Sequence, residues 1–333
     1  MSRKLASLTV VAALVGSTAM ADTPNVAVDI APIHSLVSRV MAGVGAPKLI
    51  IQPGASPHEY RLRPSEAKAL QDAILVFWMG EGLTPWMENA VETLSQNAKV
   101  ITLLEASETK LLKFREGALF EEHDHDEHDK KDDHDDHDDH DKKDDHDDHD
   151  GHDDHDKKDD HGHGAHDPHA WLSIENAKTW LNLIAAELSL ADPENAGTYF
   201  GNAAAGRSEI DDLITEINGI LDPVRGKSFV VFHDAYQYFE NSFDFPAAGA
   251  ISLSDASDPS PSRVAEIHKR VKNQNVSCVL AEPQFNPGIV DTVLAGTDAK
   301  TGVIDPLGFK LEPGPELYTQ LIRKMAKTIT DCL

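Results

Sequence analysis

Between Ala73 and Trp78 the chain reads AILVFW, an apolar run with no polar break. Strands buried on both faces look like this, as they do in parallel sheets, whereas a half-wet strand alternates. Three neighbouring stretches repeat the pattern: NVAVDI (Asn25–Ile30), KLIIQ (Lys48–Gln52) and KVITLL (Lys99–Leu104). Between them lie HSLVSRVMAGVG, RPSEAKALQDA and TPWMENAVETLSQNA, which read as helices. Glu66 behind Pro64, and Thr84 before Pro85, suit helix starts. Strand, helix, strand in repetition predicts an α/β fold, a parallel sheet with helices on both faces.

Downstream the alternation returns. SFVVF, AAGAIS, SCVLAE and GVI read as strands, SPSRVAEIHKRVKNQ and ELYTQLIRKMAKTIT as helices. Between the two blocks, DPENAGTYFGNAAAGRSEIDDLITEINGIL (Asp192–Leu221) places Ile210, Leu213, Ile214, Ile217 and Leu221 on one face of a long helix. The expectation is an N-terminal α/β lobe over 22–190, a linker helix over 191–225 and a C-terminal α/β lobe over 226–333. Ligands of such sheets bind at the carboxyl ends of the strands, here in the cleft between lobes.

A different kind of sequence interrupts the first lobe. Glu121 to His166 holds twenty aspartates and three glutamates against six lysines, most of the chain's net charge of −27. Thirteen of the 18 histidines fall there, in a degenerate DKKDDHDDH repeat that includes His134, His137, His140, His146, His149, His152 and His155. With no apolar residue but Ala165, the tract (121–166) cannot build a core and is expected to be disordered. Its charge argues against nucleic acid and anionic membrane, and for cations.

The first 23 residues, MSRKLASLTVVAALVGSTAMADT, carry a basic start, a short apolar run and the small residues Ala19-Met20-Ala21. They predict a signal peptide over 1–21 and a soluble protein exported to the periplasm. In an oxidising compartment the two cysteines, Cys278 and Cys332, favour a disulfide over a metal site.

Five histidines lie outside the tract. His34 and His268 fall inside helices, where a satisfied or solvated imidazole is the ordinary reading. His58 in GASPHEY, His169 in DPHAWLS and His233 in VVFHDAY stand instead at strand ends or loop starts, facing a cleft. Glu59 adjoins His58, and Asp305 in GVIDPLG follows the last short strand, although an aspartate before Pro306 also reads as a turn residue. Three neutral imidazoles with one carboxylate suit Zn²⁺, and oxygen-rich sets would favour Mn²⁺.

Four ordered motifs, GASPHEYRLRPSEAKALQDAILVFWMG, DPHAWLS, FHDAYQYFE and GVIDPLG, resemble those of the periplasmic zinc-binding proteins of ABC importers, the ZnuA type. The resemblance runs from about Asn25 to the C-terminus and extends to the acidic, histidine-rich insertion. It implies two lobes bridged by a long helix, with His58, His169 and His233 as zinc ligands. It leaves Glu59, Asp305 or water as the fourth, and it implies a disulfide between the cysteines. It also implies a permease at the inner membrane as partner, with periplasmic zinc metallochaperones as further partners of a monomer. Three readings of the tract compete, the working site, an accessory collector of zinc or a passive solvated linker, and histidines recurring every three residues favour the collector. Competing readings are a zinc buffer without a transporter, a manganese-binding sibling, and a hydrolase using a zinc-bound water with Glu59 as base. The chain has no HExxH helix, no G-x-S-x-G elbow and no nucleotide-binding glycine pattern, which leaves the hydrolase without its machinery.

Overall fold

The computed structural model describes residues 23–115, 120, 166–252, 259–285 and 287–333. The expected signal peptide, and the tract apart from His166, lie outside the described residues.

All eight apolar runs form strands. The first sheet contains β1 (Val26–Val28), β2 (Lys48–Leu49), β3 (Leu75–Trp78) and β4 (Lys99–Thr102), in the order β2-β1-β3-β4. The second contains β5 (Phe229–His233), β6 (Ala250–Ser252), β7 (Cys278–Ala281) and β8 (Lys300–Val303), in the order β6-β5-β7-β8. Every pairing is parallel. The two halves therefore repeat one topology. In each, the strand order reverses between the first and third strands, the crevice where ligands of open α/β sheets bind.

Around the strands lie helices α1 (Ala31–Val40), α2 (Pro64–Asp72), α3 (Met87–Leu94), α4 (Ile174–Ala191), α5 (Ala196–Leu221), α6 (Gln237–Phe243), α7 (Pro261–Asn273), α8 (Pro287–Leu294) and α9 (Leu317–Cys332). Side chains alternate across each sheet, as pleated strands require. Ala27, Val76 and Trp78 turn outward to pack with Leu70 of α2 and with Met87 and Val91 of α3. Val230, Phe232 and Val279 likewise turn outward, to Ile267 and Val271 of α7 and Val290 and Val293 of α8. The inward residues, among them Val28, Phe77, Val231 and Leu280, join one continuous core with α1, α4, α5 and α9.

The long helix is therefore more than a bridge. It packs against α1, α4 and α9, burying Ile210, Leu213, Ile217 and Leu221, while Ile214 stays half-buried. Gly206 allows the approach, because a Cβ there would meet Leu181 of α4 at 3.2 Å and Arg39 of α1 at 3.3 Å. Cys278 and Cys332 are disulfide-bonded, tying the start of β7 to the end of α9. Helix α3 begins at Met87, later than Thr84 suggests, because the Thr84 hydroxyl accepts from the Trp78 indole instead of capping.

Candidate metal centre

His233 is the last residue of β5, and Glu282 directly follows β7, its neighbour across the second sheet's crevice. Both are buried, and His233 Nδ1 lies 2.9 Å from Glu282 Oε1. His169 repeats the arrangement: its Nδ1 lies 2.6 Å from Asp167 Oδ1, which also accepts from the His169 backbone N–H at 2.9 Å. A carboxylate only accepts, so in each neutral ring the proton sits on Nδ1 and Nε2 carries the lone pair. The two Nε2 atoms face each other at 3.2 Å. Two lone pairs so placed repel, unless a proton or a cation lies between them. Two imidazoles on one tetrahedral zinc, each at about 2.0–2.1 Å, would stand about 3.3 Å apart. The pair therefore has the spacing of a shared ion, and its carboxylates are the outer partners that fix tautomer and ring orientation in metal sites.

The His169 segment is held by its surroundings. Residues 170–172 form one 3₁₀ turn, and Ser173 caps α4 by accepting from the Asn176 N–H at 3.2 Å. The Trp171 indole donates to the Pro306 carbonyl at 2.8 Å, and the Tyr318 hydroxyl of α9 to the Trp171 carbonyl at 3.0 Å. The first bond ties the His169 segment to the turn carrying Asp305, and the second ties it to α9.

His58 comes from the other sheet, on the loop between β2 and α2. The Trp86 indole donates to the Pro57 carbonyl at 2.8 Å. Glu66 accepts from the Tyr60 hydroxyl at 2.8 Å and from the Arg63 N–H at 2.7 Å, closing the first turn of α2. The half-buried His58 ring centres 5.9 Å from that of His169, against 4.9 Å between His169 and His233. Among the described residues, no set of three or more His, Cys, Asp or Glu is gathered closely enough to hold an ion as it stands. The structure brings two imidazoles together and sets the third beside them.

Among the described residues, neither Glu59 nor Asp305 completes a three-residue set with the pair. Glu59 is exposed. Asp305 is buried, but its carboxylate accepts from the N–H groups of Leu307, Gly308 and Phe309 at 3.0, 2.8 and 2.7 Å, binding its own turn. Asp167 and Glu282 do not stand out in the sequence; their only signals are positions just before His169 and at a strand end. Tyr236 is buried beside Glu282, and its phenol pKa is pushed well above the usual value, first by burial and then by the Glu282 charge. The other two histidines are engaged elsewhere: His34 contacts the Pro47 carbonyl at 3.2 Å, and His268 the Val293 carbonyl at 2.9 Å.

Known proteins resemble the chain along nearly all of its length. The family model described as "Zinc-uptake complex component A periplasmic" matches residues 26–332. The high-affinity zinc uptake system protein ZnuA of Brucella abortus (strain 2308) is 48% identical over 318 residues, 96% of this chain and 94% of that protein. Its namesake in Paracoccus denitrificans (strain Pd 1222) is 44% identical over 97% of both chains. A solved structure described as the crystal structure of ZnuA superposes with a TM-score of 0.69, at 20% identity over 92% of this chain and 98% of that one. Members of this family are transport components rather than enzymes, and membership implies an ABC zinc transporter permease as partner. The match across residues 26–332 and the two parallel sheets around one long helix lead to one conclusion: the chain belongs to the ZnuA family of zinc-uptake periplasmic components.

Proposed function

We propose that this chain captures Zn²⁺ with His58, His169 and His233 and carries it to an ABC permease for import. The observation that carries this reading is the His169–His233 pair, two Nε2 atoms at 3.2 Å with each Nδ1 turned to a carboxylate. His58 completes the set when its loop closes by a small movement onto the ion. An all-nitrogen set suits zinc better than manganese, which favours oxygen donors. The exposure of Glu59 and the three N–H partners of Asp305 support water as the fourth ligand.

The same reading includes export with removal of 1–21, a monomeric carrier in the periplasm, and encounters with periplasmic zinc metallochaperones. It divides the chain into lobes at 22–190 and 226–333 around the helix over 191–225, with His134 to His155 of the tract collecting zinc. Among the described residues no helix is long and apolar enough to cross a membrane.

Calorimetric titration of zinc into a chain lacking 121–164 tests the site. One tight site is expected, weakened strongly by His58→Ala, His169→Ala or His233→Ala. Wild-type affinity in all three variants would remove the reading.

A further inference from the structure

Residues 112–115 lie shortly before the histidine-rich tract and His166 at its end, and these two flanks are joined. Lys113 and His166 form an antiparallel bridge, and the Asp167 N–H donates to the Leu112 carbonyl at 2.9 Å. One side chain of α6 holds both strands of this base. The Tyr238 hydroxyl accepts from the Leu112 N–H and donates to the Asp167 carbonyl, each at 2.9 Å.

Arg115 fastens the base more firmly. Its Nε lies 3.1 Å from both oxygens of Asp234, and its Nη atoms reach Glu240 at 2.7 and 3.0 Å. An Nη also donates to Asp234. The arginine side chain is 15% exposed and its partners 6% and 4%, so this is a half-buried cation between two buried carboxylates. The ring of Phe120 covers the guanidinium at 3.5 Å. Asp234 is the residue after His233, and Asp167, at the other strand of the base, orients His169. The base of the segment is thus bonded beside each histidine of the pair.

We propose that Arg115 is a positioning residue for the metal site: through Asp234 it fixes the end of β5, and so where His233 presents its Nε2 and how long an ion is held. This rests on the zinc-site reading above. Without the guanidinium, two carboxylates stay buried and uncompensated, a strongly unfavourable state. They separate or draw in water, and the strand end bearing His233 moves with them. Lysine keeps the charge but lacks the planar fork that serves both carboxylates.

The test uses the full chain, wild type and with Arg115→Ala, Arg115→Lys or, as a control, Arg323→Ala, which removes a surface pair with Glu216. Zinc dissociation into excess chelator and the visible spectrum of the Co²⁺-loaded protein are read for each. Arg115→Ala should speed dissociation by up to about tenfold, less than loss of a carboxylate bonded directly to a ligand ring, and alter the Co²⁺ spectrum. Arg115→Lys should lie between it and wild type, and Arg323→Ala should change neither readout. A merely structural role would lower the melting temperature and leave rate and spectrum at wild-type values; that result overturns the proposal. If Arg115→Ala does not fold, Arg115→Lys decides by the same two readouts. If zinc binding is indifferent to His169→Ala and His233→Ala, the site reading itself fails. If binding depends on both while the Arg115 variants behave as wild type, the Arg115 proposal alone fails.

Discussion

His169 and His233 present their Nε2 atoms to each other at 3.2 Å while Asp167 and Glu282 hold the opposite ring nitrogens. The two rings reach this arrangement from positions 64 residues apart, one before a 3₁₀ turn and one at a strand end. Packing and second partners, rather than a short sequence motif, bring them to one point.

The carboxylates should matter nearly as much as the rings they orient. Glu282→Gln or Asp167→Asn should weaken zinc binding by about 10–100-fold, and loss of either histidine should cost more. Competition against a chelator of known affinity measures both. Unchanged affinity in both carboxylate variants would mean that neither orients a ligand.

Asp29 gives stability a specific pH dependence. It is fully buried just after β1 and accepts from the N–H groups of Ile30 and Met79 at 2.7 Å each. Burial raises its pKa to about 7 from 3.8, against the pull of those hydrogen bonds. Between about pH 4 and 7 the folded chain therefore keeps a proton that the unfolded chain has lost, so the contribution of Asp29 falls as pH rises and levels off above 7. The full effect is at most roughly 4 kcal/mol. Denaturant unfolding of wild type and Asp29→Asn should show the wild-type advantage shrinking across that window; an advantage that grows with pH would refute it.

Replacing both cysteines by serine removes a cross-link between residues separated by 54 positions. The chain-entropy model sets a ceiling of about 4 kcal/mol on the lost stability. The melting temperature should drop while zinc affinity stays near wild type, since neither cysteine lies at the metal site. A loss of affinity in protein that remains folded would show that the site depends on the bridge.

Deleting 121–164 should leave a folded chain with its tight site, because Lys113 and His166 already stand side by side and a short turn can join them. Weaker zinc sites should disappear, and loading from scarce zinc should slow. Stoichiometry and loading rate both at wild-type values would leave the tract's histidines without this role.

The strands are legible because an unbroken apolar run such as Phe229–Phe232 or Leu75–Trp78 has one favourable burial, between two helical layers. Helix α6 is not: QYFENSF is seven residues of largely aromatic and polar character with no caps that announce a helix. Helix α8 hides in the same way, since PGIVDTVL is as apolar as a strand. Two of the three candidate histidines do meet, but the Glu282 partner of His233 is out of reach of sequence reasoning. Their contact depends on β5 lying beside β7, and strand order is set by long-range packing rather than local pattern. For Asp305 the modest turn reading describes what its carboxylate does in this structure.

The single core shared by both sheets has a mechanical consequence. Prying the sheets apart enough to expose roughly 200 Å² of apolar surface would cost about 5 kcal/mol, a fluctuation visited roughly once in several thousand. Thermal motion alone would then seldom part the two sheets. Any wider opening would need work supplied from outside the chain.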